Sequence, residues 1–301
     1  MRHIPCKTID EFWSLLDPSN PLDLNLKIEE RERLLYRGQE DAEFHLLPAS
    51  FRRRCNPNTL ESDLTAEEQV KKEYEEFIHF IDSSAYNNLI NKNIYKSHRE
   101  LFDNDFEREL FGNPSIWPPK VIFDSLFLAQ HHGVATQLLD WTEMPYAAVY
   151  FACQPLLFDR RDDSEKLNGE LAVWCYLPDE GEKEDVYVER YTLNCDSNME
   201  AQKGHFILIK QDMAKPHEKF NIKTLDTMKS IKNLWKVTIN KKEVYELMSK
   251  CSANRFNAEE LYKGRGLDGV ALSYREKELW LSQLNSAASY GSRSGLSKIK
   301  S

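Results

Sequence analysis

The chain has 301 residues, 41% hydrophobic and 30% charged, with a formal net charge of −9; that is enough apolar material for a substantial core, and an acidic balance that speaks against a broad grip on nucleic-acid phosphates. The longest uncharged apolar run, near 144–158, is too short and too broken by Pro145 and Gln154 to span a membrane. The N-terminus lacks a signal-peptide pattern and the six cysteines form no Cys-x-x-Cys pair, so reduced thiols in a cytoplasm are expected.

Thr8-Ile9-Asp10-Glu11 matches a capping box, and Ile9, Phe12, Trp13 and Leu16 follow at helical spacing up to Asp17-Pro18. The first good strand is Leu34 to Gln39. Arg37 shares a face with Leu35, so a guanidinium is aimed at a partly buried face and needs an anionic partner. Two partners stay open: an internal carboxylate such as Asp140, or a ligand phosphate. Gly38 permits close backbone approach just beyond. Phe44 to Phe51 is apolar, and Arg52-Arg53-Arg54 reads as a solvated helix end. Residues 57–62 read as a polar loop. Thr65-Ala66-Glu67-Glu68 is a second capping box, opening a helix with the stripe Val70, Tyr74, Phe77, Ile78 and Ile81.

Pro118-Pro119 precedes a helix from about 120 to 132, which Gly133 stops as a C′ residue. Val134 to Asp140 then runs extended, with Thr136, Leu138 and Asp140 on one side and Ala135, Gln137 and Leu139 on the other. Thr142 suits an N-cap, Pro145 falls in the first turn, and Tyr146 to Cys153 is apolar on every face, so this helix is expected to be buried. Adjacent histidines on a helix point about 100° apart, and no further ligand lies at metal spacing, so His131 and His132 are assigned to the core and to a pocket rim rather than to a metal. Asp140 is read first as a partner of Arg37 and second as a general base; Trp141 as core first and as a stacking surface second.

Leu171 to Leu177 has the character of a fully buried strand, and 178–198 of an exposed excursion. Met199 to Ile209 reads as a short strand or loop, a glycine break and another strand. Leu234 to Asn240 alternates as a strand covered on one side. Helices follow at Val244–Cys251, at Asn257–Glu260 ended by Gly264, and from Asp268 to about Leu284. The fold expected is α+β: a small, split, mixed or antiparallel sheet surrounded by helices in one domain over 1–284. Residues of about 55–120 form a helical insertion, and 285–301 a flexible tail.

Tyr36-Arg37-Gly38-Gln39 and Gln130-His131-His132-Gly133 lead an ordered series. Thr136, Leu138-Leu139-Asp140-Trp141-Thr142, Gln202-x-Gly204-x-Phe206 and Leu267-Asp268-Gly269 continue it. Over about residues 30–275 this series resembles the FRG-domain family, named for an aromatic-Arg-Gly motif. Ala135 stands where that family usually has proline, and Gln137 where arginine is common. The order of elements is more distantly similar to mono-ADP-ribosyltransferases. That resemblance implies NAD as substrate or ligand, with no metal. Arg37 would hold the NAD phosphate or ribose, Thr136 or Thr142 would brace the nicotinamide pocket, and Glu200 and Gln202 would occupy the region of the catalytic glutamate. Here the neutral Gln202 stands where the carboxylate is expected, so Glu200 is the acidic candidate. Arg37, Glu200 and Thr142 are thus the expected catalytic residues. Arg37, Gly38, Gln39, His131, His132, Thr136, Asp140, Trp141 and Gln202 are expected around the nucleotide. The resemblance also suggests a bacterial toxin or phage-defence effector; a non-catalytic nucleotide sensor is the alternative.

Overall fold

A computed structural model describes residues 1–19, 26–52, 59–87, 92–179, 185–190 and 201–296. Its strands are β1 (Arg2–Pro5), β2 (Leu35–Gln39), β3 (Glu61–Thr65), β4 (Leu138–Thr142), β5 (Glu170–Tyr176), β6 (Val186–Arg190), β7 (Gly204–Ile209), β8 (Lys219–Asn221) and β9 (Leu234–Asn240). The helices are α1 (Ile9–Leu15), α2 (Ile28–Arg31), α3 (Ala66–Tyr86), α4 (Lys92–Leu101), α5 (Asn104–Gly112), α6 (Phe123–His131), α7 (Pro145–Phe158), α8 (Asp163–Lys166), α9 (Val244–Ala253), α10 (Ala258–Leu261) and α11 (Leu267–Leu296). Seven strands form one sheet in the order β1-β9-β5-β2-β4-β7-β6, antiparallel except for β1 on β9; β3 and β8 pair separately. The α+β architecture is therefore as the sequence predicts.

Local chemistry accounts for several element ends. Thr8 and Thr65 accept backbone N–H groups at the starts of α1 and α3, and Thr65 with Glu68 completes a reciprocal capping box. Gly133, at φ +90°, ends α6 in the left-handed region that favours glycine. Pro145 opens α7, which is buried along most of its length.

Elsewhere the chain departs from its sequence pattern. Thr142 does not cap α7: it is the last residue of β4, and its hydroxyl accepts the Met144 N–H. Within the expected excursion, Val186–Arg190 pairs with β7 as the sheet edge. Glu61 and Ser62, read as the end of a polar loop, begin the strand Glu61–Thr65, because Lys219–Asn221 offers it a partner. The last helix continues past Leu284 to Leu296, since no proline interrupts the Ser/Ala-rich segment.

The sheet is weakest at its centre. β2 pairs along its whole length with β5, but with β4 only at Tyr36 opposite Thr142. Beyond that pair the two strands part. α7 covers β2 and β5, so that Tyr36, Val173 and Cys175 share a core with Ala148, Tyr150 and Ala152. α3 and α6 cover β4 and β7 through Phe77, Phe127, Leu138, Phe206 and Leu208. On the opposite face Leu139, Trp141, Trp174 and Ile207 form a third cluster. The gap between β2 and β4 thus opens where these bodies meet.

Candidate functional site

Gly38 explains why β2 and α7 come so close. A Cβ there would lie 1.9 Å from the Ala148 carbonyl oxygen and 2.6 Å from the Ala152 nitrogen. Only glycine lets the helix backbone lie directly on the strand. Its neighbour Arg37 turns to the gap, donating from Nη1 to the Asp140 carbonyl at 2.7 Å, with the Asp140 carboxylate 3.8 Å away. The guanidinium thereby satisfies a β4 carbonyl next to the place where strand pairing stops. Arg37 Nε is buried and has no hydrogen-bond partner. Burial pushes the Arg37 pKa down to about 10, Asp140 opposes this, and the nearby charge of Arg52 adds to it. A buried donor left unpaired beside a second cation is a strong demand for an anion.

The cavity at this gap has a volume of about 670 Å³. Its polar walls are Arg37, Gln39, Glu40, His45, Arg52, Gln130, His131, Asp140, Thr142, Gln202 and Arg265, and its aromatic walls Tyr36, Phe44, Trp141, Phe151, Phe206 and Tyr262. Three arginines therefore share one hollow. Arg52 is held by its Nε on the Leu47 carbonyl at 3.2 Å, and Arg265 lies over the Tyr262 ring at 4.6 Å. Two described carboxylates line the same walls. Asp140 is fixed, accepting Gln130 Nε2 at 2.5 Å. Glu40 is partly buried, and burial raises its pKa above the usual carboxylate value.

Several expected site residues turn inward instead. Thr136 is buried and lies outside the cavity walls; its hydroxyl donates to Gln130 Oε1 and accepts the Leu138 N–H at 3.1 Å, so it aims the amide that holds Asp140. His132 is also outside the walls and is exposed rather than in the core, its ring 6.1 Å from that of Phe80, whereas His131 borders the cavity. Thr142 borders the cavity, but its hydroxyl donates to the Gln202 carbonyl at 2.6 Å and so joins β4 to the segment before β7. Gln202 borders it too, with Nε2 donating to the Leu261 carbonyl at 2.9 Å. Gln39 accepts from Trp174 Nε1 at 2.6 Å and donates to the His45 carbonyl at 3.0 Å. Trp141 is core, as first read, with its edge on the cavity. Glu200 lies outside the described residues, as do Arg53 and Arg54.

Gln137 lies away from the cavity, buried, with Nε2 donating to Glu73 Oε1 at 3.2 Å. The departure from arginine at this place therefore bears on the helical core under α3, not on a ligand. Sequence reasoning missed Glu40, His45, Arg52 and Arg265. Arg52 carried a signal in its basic run; Arg265 and His45 are single polar residues in unremarkable segments.

Comparison with known proteins yields one match. Residues 32–158 match the family model described as FRG domain, while no curated protein and no solved structure matches the chain. The matched stretch holds Arg37, Gly38, Arg52, Gln130 and Asp140; Gln202 and Arg265 lie beyond it. The aromatic-Arg-Gly strand and the Gln130–Thr142 segment that frame the cavity thus lie within one matched stretch, and residues 32–158 of this chain are similar to the FRG domain.

Proposed function

We propose that the chain binds NAD in the cavity between β2 and β4 and acts on it as an ADP-ribosyltransferase-like enzyme, by transfer of ADP-ribose or by hydrolysis. The observation that carries this reading is the convergence of Arg37, Arg52 and Arg265 on a hollow with aromatic walls. Arginine suits a diphosphate by charge and by planar donor geometry, and aromatic walls suit bases. The volume lies within the range of about 300–1,000 Å³ usual for small-molecule sites. Arg37 lines the cavity with part of its side chain exposed, so a phosphate seated there meets its charge.

When nicotinamide leaves, positive charge develops on the ribose, and a carboxylate held beside it stabilises that charge. Asp140 is the better of the two described acids for this, because Gln130 and Arg37 hold it in place while burial drives Glu40 toward its neutral form. A non-catalytic nucleotide sensor remains the second reading; it is favoured by the commitment of the Thr142 hydroxyl and the Gln202 amide to backbone carbonyls. The described cysteines Cys6, Cys153, Cys175 and Cys251 are free and buried, which supports work in a reducing cytoplasm. The bacterial defence or toxin setting follows from the family resemblance alone.

Calorimetric titration with NAD, followed by assay for free nicotinamide, tests the reading. Arg37→Ala and Arg52→Ala are expected to lower affinity about 10-fold or more each, as charge-assisted contacts are lost. Asp140→Asn is expected to lower turnover with little effect on affinity. Unchanged affinity in a folded Arg37→Ala protein defeats the reading; saturable binding with no nicotinamide favours the sensor.

A further inference from the structure

The cavity holds a histidine whose ring is fixed by a buried carboxylate. His45 Nδ1 lies 2.6 Å from Asp226 Oδ2, and Asp226 Oδ1 accepts the Leu46 N–H at 3.1 Å. The Asp226 side chain is 8% exposed, that of His45 32%. The backbone is held as well, because the His45 carbonyl accepts Gln39 Nε2 two residues beyond Arg37. The two residues are 181 positions apart in sequence, so only the folded chain makes the pair. With Nδ1 carrying the proton toward Asp226, Nε2 is the basic nitrogen of a cavity-lining ring. A carboxylate behind a histidine fixes its tautomer and stabilises the imidazolium that forms when it takes a proton.

We infer that His45, oriented by Asp226, is the general base that activates an O–H nucleophile in this cavity. The inference rests on NAD as substrate. In the step, the nucleophile's oxygen bonds to C1′ of the nicotinamide ribose while the C–N glycosidic bond breaks. Nicotinamide leaves as the neutral base with the bonding electron pair, and the nucleophile's proton passes to His45 Nε2. With water the product is ADP-ribose; with an alcohol it is the ADP-ribosyl O-glycoside. His45 is the catalytic residue and Asp226 a positioning residue.

The test uses the full chain with NAD, following affinity, nicotinamide release, and the ratio of free ADP-ribose to methyl glycoside in added methanol. Asp226→Asn is the sharper variant. Its Oδ1 still accepts the Leu46 N–H, but its amide donates where Oδ2 accepted, which forces the proton onto Nε2. Expected is a kcat about 100-fold or more lower with KM unchanged. His45→Ala is expected to fall as far and to be rescued by added imidazole, which a merely structural histidine would not allow. Nicotinamide release unaffected by His45→Ala overturns the inference and leaves the NAD reading standing. Binding of NAD with no release overturns the inference and leaves the sensor reading. Absence of NAD binding by the unaltered chain overturns both.

Discussion

Glu73→Gln is expected to stabilise the protein at neutral pH and to bring no such gain near pH 4. Glu73 lies on α3 in the core, accepting Gln69 Nε2 at 2.6 Å, Gln137 Nε2 at 3.2 Å and Trp117 Nε1 at 3.1 Å. Burial outweighs these donors and raises its pKa from 4.5 to about 7. The folded state therefore holds its proton more tightly than the unfolded chain. Below about pH 4.5 both states are protonated and the full stability is present. Between 4.5 and 7 only the unfolded chain ionises, so stability falls as pH rises; above 7 the loss is complete. At about 1.4 kcal/mol per pH unit this interval amounts to about 3 kcal/mol. Glutamine keeps the shape and carries no titrating proton. Gln137 Oε1 is buried without a partner, so rotation of that amide gives the new NH₂ group an acceptor. Urea midpoints of both proteins across pH 4–8 give a difference curve. It is expected to rise by about 3 kcal/mol through this window in favour of glutamine. A flat difference curve refutes the reasoning.

Gly38→Ala is expected to destabilise by about 3 kcal/mol or more, because the new Cβ meets the α7 backbone rather than a movable side chain; equilibrium unfolding measures it, and a change under about 0.5 kcal/mol contradicts the packing described. Tyr150→Phe removes the O–H that donates at 2.7 Å to the buried Glu276 on α11, whose pKa burial already raises. A loss of about 1–3 kcal/mol is expected, partly restored by adding Glu276→Gln. Arg265→Ala, at an exposed side chain, is expected to leave the unfolding midpoint unchanged while weakening inorganic pyrophosphate binding severalfold in low salt; equal affinity by calorimetry removes Arg265 from the anion site. Thr136→Val frees the Gln130 amide from its acceptor role, and lowered NAD turnover with near-normal affinity is the expected readout.

Amino-acid order alone carried the parts of this protein that local physics decides. Thr65 with Glu68 set the start of α3, Gly133 the end of α6, and Pro145 the start of α7, because caps and backbone preferences act within a few residues. The alternation of β9 and the apolar run of β5 declared buried strands, and Arg37 announced a guanidinium in need of an anion. Pairing decided the rest. Val186–Arg190 becomes a strand through β7, and Glu61–Thr65 through β8. The parting of β2 from β4, the meeting of Arg37 with Arg52 and Arg265, and the contact of His45 with Asp226, 181 residues apart, join segments distant in the chain. No periodicity encodes such distances. The turning of Thr136 and Gln137 into the interior followed from polar groups already there, the half-buried Gln130 and the buried Glu73, whose hydrogen-bonding capacity recruits the nearest polar side chain.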